Sequence, residues 1–167
     1  VFFAKDKVIV GEKAKDAIVT NEKKVVLEVK RQMENDVIYS VKEGEFVDND
    51  GKIKGYTPSQ ISSLILSKLK DFSSKISKSV ITVPALFSER ARTATLDAAK
   101  IANLDVELIN EPTAAVLHYA NLPGTSISGG VLIFDLGGGT FDITIAAVKG
   151  KKVDVITSVG DKELGGQ

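Results

Sequence analysis

The sequence predicts an α/β fold, on two observations. From Thr57 onward, short β-branched runs alternate with stretches whose apolar residues recur at helical spacing. Further on, Val131-Leu132-Ile133-Phe134-Asp135-Leu136-Gly137-Gly138-Gly139-Thr140-Phe141-Asp142 carries an apolar run into an acid, three glycines, a hydroxyl and a second acid. The apolar run suits a buried strand, and the alternating, β-branched stretch 140–148 suits another. The glycines between them predict a tight turn at φ values that other residues resist. A chain of 167 residues with 43% hydrophobic content can bury a sizeable core.

Taken in order, residues 1–56 hold short strand-like pieces at 8–10, 25–29 and 37–41 and one helix from Glu12 to about Val19. Asp48-Asn49-Asp50-Gly51 predicts a hairpin turn between 45–47 and 52–54. Its glycine arrives two positions too early for an EF-hand calcium loop. Thr57 and Pro58 make a helix N-cap and first-turn pair. Ile61, Leu64, Ile65, Leu69 and Phe72 follow along one helical stripe. Residues 79–83 form a strand, and Ser88 caps a second helix with Ala91, Thr95, Ala98 and Ala102 on one face. A short strand at 106–109 leads to a helix through Thr113 to Ala120. Leu122-Pro123-Gly124 with 125–130 is a linker rich in Gly and Ser, and the β-rich unit with the glycine turn lies beyond it. The chain thus divides into 1–56, 57–124 and 125–167.

The glycine turn is the strongest chemical signal. Bare N–H groups in a row make a concavity for phosphate oxygens. Asp135 and Asp142 cannot hold an anion directly, but both suit a hydrated Mg²⁺ set between them and the phosphates. No GxxxxGK[ST] occurs, and the third glycine position of a dinucleotide fingerprint is occupied by Asp142. An ordinary hairpin has little use for three consecutive glycines, each entropically costly. Lys30, after the predicted strand 25–29, is either one more solvated lysine near Lys23 and Lys24 or a point charge for a γ-phosphate. Glu111 is either a helix N-terminal carboxylate favoured by the dipole or the orienter of a hydrolytic or metal-bound water. Thr140 can hydrogen-bond a γ-phosphate oxygen. Pro84 ends an apolar strand, Arg92 is expected on an exposed helix face, and His118, the only histidine, in a half-buried structural place.

Composition narrows the function classes. Lys plus Arg and Asp plus Glu are both 22, so nothing points to nucleic acid or a membrane surface as partner. The absence of cysteine excludes a disulfide framework and a thiolate metal site, and accords with a reducing compartment. No signal peptide and no apolar stretch of bilayer-spanning length occurs in the chain. Gly124 to Gly129 misses the nucleophile-elbow spacing by one residue, which removes a serine hydrolase.

The stretch Ile133-Phe134-Asp135-Leu136-Gly137-Gly138-Gly139-Thr140-Phe141-Asp142 closely resembles the second phosphate loop of the heat-shock protein 70 (DnaK) chaperones, within the actin, sugar-kinase and chaperone ATPase superfamily. Val80-Ile81-Thr82-Val83-Pro84-Ala85-Leu86-Phe87, Ile109-Asn110-Glu111-Pro112-Thr113-Ala114-Ala115, Val29-Lys30-Arg31, and Gly160-Asp161 with Leu164-Gly165-Gly166 resemble the same family, in the family's order. Together they cover essentially the whole chain. Actin and sugar kinases share the fold but are not expected to carry the block that begins at Ile109.

The resemblance implies an actin-like ATPase (ribonuclease H-like) fold, incomplete here. Residues 1–56 would be a peripheral part of lobe I, 57–124 its core, and 125–167 the first strands of lobe II. It implies ATP and ADP with Mg²⁺ as ligands, and Lys30, Glu111, Asp135, Thr140 and Asp142 as catalytic residues. Gly137, Gly138, Gly139 and Thr140 would hold phosphates, and Asp135, Asp142 and Glu111 the metal through water. Pro84 and Arg92 would relay nucleotide state to a substrate-binding domain. The family's first phosphate loop and its adenosine-binding glycine loop are not found in the chain, so it is expected to be an internal fragment of the ATPase domain. The implied partners are unfolded polypeptide, a J-domain co-chaperone and a nucleotide exchange factor, with no nucleic acid and no membrane. The expected compartment is the cytoplasm, with an organelle matrix left open. The rival is a nucleotide-sensing or filament-forming actin-like module without useful turnover. The sequence departs from the family pattern after Arg31, where Gln32-Met33-Glu34-Asn35 replaces an apolar residue and a glycine. It also runs one residue shorter between Ile101 and Ile109, and the region between Lys30 and Thr57 is shortened.

Overall fold

Thr57 shows how local chemistry sets an element boundary. Its hydroxyl accepts from the Gln60 N–H at 3.3 Å, and the Gln60 side-chain oxygen accepts from the Thr57 N–H at 2.9 Å. This reciprocal box, with proline in the first turn, starts the helix Pro58–Lys70. Thr57→Ala is expected to lower stability by about 1 kcal/mol, read as an earlier midpoint in chemical denaturation; an unmoved midpoint would mean that the box contributes nothing.

The computed structural model describes residues 1–40, 55–73, 76, 78–161 and 164–166. The predicted hairpin turn at 48–51 and its flanks lie outside the described residues. Two compact units emerge, interleaved in sequence: Val1–Ser79 with Thr93–Val106, and Val80–Arg92 with Glu107–Gln167.

In the first unit, β1 (Phe2–Phe3) pairs antiparallel with β2 (Val8–Ile9), and β3 (Tyr39–Ser40) with β4 (Gly55–Tyr56). The helix predicted from Glu12 is two short ones, α1 (Glu12–Asp16) and α2 (Ile18–Asn21). The long helix Pro58–Lys70 is α3. Val1, Phe3, Val29 and Ile61 form the core, with Val8, Val26, Tyr39, Tyr56, Leu64 and Ile65 packed around them. Leu69 and Phe72, on the same predicted stripe, are exposed because the helix outruns this core and ends at Lys70.

The run 25–29 is not a strand. Val25 makes a single antiparallel bridge to Phe2, Glu28 turns left-handed at φ 49°, and Val29–Gln32 winds into a 3-10 turn. The ion pair of Arg31 with Glu28 at 2.9 Å closes that turn, and Val29 points into the core. Burial of one valine and a local ion pair outweigh the β propensity of the run.

The helix α4 (Glu89–Ile101) begins after Ser88, whose hydroxyl accepts from the Ala91 N–H at 3.3 Å. Ala91, Thr95, Ala98 and Ala102 are buried, as their spacing predicts. At the other end, the Lys70 ammonium donates to the carbonyls of Ala102 at 3.3 Å and Asn103 at 2.8 Å. A cation there meets the negative end of the helix dipole.

β5 (Ser79–Val83) and β6 (Val106–Asn110) are neighbours in a small sheet, and α5 (Glu111–Ala120) follows directly. β7 (Gly129–Leu136), β8 (Phe141–Lys149) and β9 (Lys152–Asp161) form an antiparallel sheet in that order. Gly150, at φ 61°, makes the tight turn between β8 and β9, where a side chain would be strained. α5 packs against β7 and β9. Asp142, Thr144, Ala146 and Val148 alternate as the buried face of the central strand. Among the described residues the run expected to be a buried strand is an edge strand: Leu132, Phe134 and Leu136 are exposed. One face of β7 is covered and the other is not, which gives alternation rather than uniform burial.

Candidate nucleotide and metal site

The β7–β8 register decides the site. Asp135 lies directly opposite Asp142, and Leu136 opposite Phe141, so residues 137–140 form the connection. The Gly137 N–H donates to the Thr140 carbonyl at 2.9 Å and closes it. Directly opposed residues share one face of the sheet, so the two acids project together. Asp142 is only 6% exposed, and like charges placed directly opposite disfavour each other. On the reverse face the rings of Phe134 and Phe141 meet edge-on, centroids 4.8 Å apart, and stiffen the end of the hairpin.

The glycines are explained differently from the sequence expectation. Positive φ occurs at Gly11, Gly124, Gly129 and Gly150, and Gly137 does not share it. A Cβ on Gly137 would stand 3.5 Å from the Thr140 carbonyl oxygen and 3.9 Å from its hydroxyl, ordinary contacts. Neither backbone strain nor crowding requires a glycine there. Gly160 is the opposite case. It pairs with Asp142 across β8 and β9, and a Cβ would run into the Phe141 carbonyl oxygen and stand 2.9 Å from Asp142 Oδ1. The missing side chain makes space for the carboxylate. Sequence reasoning placed Gly160 in a family block without a role; a glycine inside a β-branched strand was the available signal.

Glu111 is the first residue of α5, where the helix dipole favours a carboxylate. Asn110, at the N-cap position, makes no capping bond, because its side-chain oxygen accepts from Arg92 Nη2 at 2.8 Å. Arg92 is therefore half-buried rather than on an exposed face. Its guanidinium also donates from Nε to the Phe87 carbonyl at 3.2 Å and from Nη2 to the carbonyls of Pro84 and Ala85, both at 3.4 Å. The flexible stem lets the fork fold back over the preceding turn, which helical-face counting does not capture. Pro84 is buried just after β5. His118 is exposed, contrary to its expected half-buried place, because it lies on the outer side of α5.

Asp135, Asp142, Thr140, the loop glycines, Glu111, Pro84 and Arg92 all belong to the second unit. Lys30 belongs to the first, exposed within the 3-10 turn Val29–Gln32. Among the described residues, no three His, Asp or Glu side chains converge as direct metal ligands. A cleft of about 640 Å³ in the first unit, bordered by Val8, Val10, Lys13, Leu64 and Lys68, contains none of the candidate residues.

Two carboxylates directly opposed beneath a glycine loop are an arrangement suited to phosphate and a hard cation. The family model described as Hsp70 protein matches residues 1–167, from one end of the chain to the other. The protein belongs to the Hsp70 family, and this hairpin is part of an Hsp70-type ATPase domain.

Proposed function

We propose that the β7–β8 hairpin binds the phosphates and metal of ATP in a chaperone that couples hydrolysis to the binding and release of unfolded polypeptides. The observation that carries this reading is the direct opposition of Asp135 and Asp142 at the base of the loop. The donor set fits Mg²⁺: Asp135, Asp142 and Glu111 offer hard carboxylate oxygens through water, and Mg²⁺ retains several waters instead of demanding a cage of side chains. When bound, the ion would neutralise charge on the β- and γ-phosphates.

The chain's own residues would position the rest. The loop backbone beyond Gly137, whose own N–H is held by the Thr140 carbonyl, faces phosphate oxygens, and the Thr140 hydroxyl donates to the γ-phosphate. Glu111 orients the attacking water, and Lys30 contributes a point charge. Arg92 ties the Pro84 carbonyl to Asn110, the residue before Glu111, and this bonding supports a relay from the nucleotide to a substrate-binding domain. In this reading, residues 1–56 and 57–124 belong to lobe I and 125–167 open lobe II of an actin-like ATPase fold. A J-domain co-chaperone and an exchange factor would act on the same cycle in the cytoplasm.

Calorimetric titration of the intact protein with ADP and Mg²⁺ tests the reading. Asp135→Asn is expected to weaken Mg²⁺-dependent binding by about 10- to 100-fold. Gly137→Ala should weaken nucleotide binding without loss of stability, since its Cβ meets only ordinary contacts. Wild-type affinity in both variants would overturn the assignment.

A further inference from the structure

Residues 164–166 lie along the glycine loop. The Gly166 N–H donates to the Gly137 carbonyl at 3.0 Å. A Cβ on Gly165 would stand 2.5 Å from the Gly138 carbonyl oxygen, 2.6 Å from that carbonyl carbon and 2.6 Å from the Gly139 Cα. All three are backbone atoms, so no rotamer change could relieve the clash. Gly165 itself lies outside the left-handed φ range, so its own backbone would accept an alanine. Only the loop excludes one. The demand is confined to this residue: a Cβ on neighbouring Gly166 would stand 3.8 Å from the Gly137 carbonyl oxygen.

We propose that Gly165 is a positioning residue for the phosphate loop. The strap 164–166, backbone against backbone, holds residues 137–139 where the loop meets phosphate oxygens. Closeness of the two backbones is the mechanism: the hydrogen bond from Gly166 sets the spacing, and the bare Cα of Gly165 permits it. The inference rests on the phosphate reading of the loop, and adds to it a residue that does not itself touch the nucleotide.

The test compares wild-type, Gly165→Ala and Gly130→Ala forms of the intact protein in ADP titration, ATP turnover and thermal unfolding. Gly130→Ala is the control, because a Cβ there meets nothing within 4 Å. Gly165→Ala is expected to raise KM for ATP and Kd for ADP by about 10- to 100-fold, with kcat changed less, while Gly130→Ala binds as wild type. A merely structural glycine would lower the unfolding temperature and leave the affinity of the folded fraction unmoved. That outcome overturns the proposal, whereas failure of the wild type to bind would sink the phosphate reading itself. Should Gly165→Ala not fold, hydrogen exchange on the wild type decides. The Gly166 amide is then expected to slow by about tenfold with ADP and Mg²⁺, and an unchanged rate overturns the proposal.

Discussion

Asp142→Asn in the intact protein is expected to lower ATP turnover by about 100-fold and to raise the Mg²⁺ concentration for half-maximal activity by about 10- to 100-fold. The substitution keeps the shape of the side chain, so the space left by Gly160 and the β8–β9 register are preserved. It removes one of two facing charges. Directly opposed like charges disfavour the folded hairpin, so the change in stability without metal is expected to stay within about 1 kcal/mol. Loss of function with the fold retained is the signature of a site residue. Single-turnover hydrolysis and a Mg²⁺ titration read the first effect, and chemical denaturation the second. An unchanged single-turnover rate would remove Asp142 from the site. If the two residues act on one ion, the double variant with Asp135→Asn should lose much less than the two single effects combined.

The elements that sequence made legible are those decided within a few residues of themselves. Thr57 with Gln60, Ser88 with Ala91, and the Ala91, Thr95, Ala98 and Ala102 face all follow from contacts one to three helical turns long. The Asp135 to Asp142 stretch was legible for the same reason: a hairpin brings its ends together whatever surrounds it. Long-range contacts hid the rest. The valines at 25–29 look like a strand until Val29 is drawn into a core built from Phe3 and Ile61. The loop glycines suggest unusual φ, yet Gly165, far along the chain, is the residue that presses on Gly138 and Gly139. Arg92 counts as outward-facing on its helix, and only the fold places Asn110 within reach of its guanidinium.

Phe3→Ala is expected to cost about 3–5 kcal/mol, the largest stability effect of a single substitution in the first unit. Phe3 has no solvent exposure, and its ring centroid lies 4.9 Å from that of Tyr56 at a 35° tilt. β1 is two residues long, so few ladder hydrogen bonds can hold the segment once the ring is gone. A typical domain has only about 5–15 kcal/mol in total, so the loss removes a large share. Phe72→Ala supplies the comparison: Phe72 is 79% exposed and touches the Lys68 ammonium at 5.6 Å, a contact worth about 0.5–1 kcal/mol. Denaturant midpoints of the two variants should therefore separate widely, and equal midpoints would show that Phe3 is not the keystone of this core. If Lys30 acts on the γ-phosphate as proposed, the effect should reach ATP turnover as well. Val29 shares the core with Phe3, and Lys30 follows it in the same 3-10 turn. A cavity at Phe3 frees Val29 to move, and the turn that presents Lys30 moves with it. A conservative Phe3→Leu substitution refills part of the cavity, so it should recover stability and ATP turnover together if the core holds that turn in place.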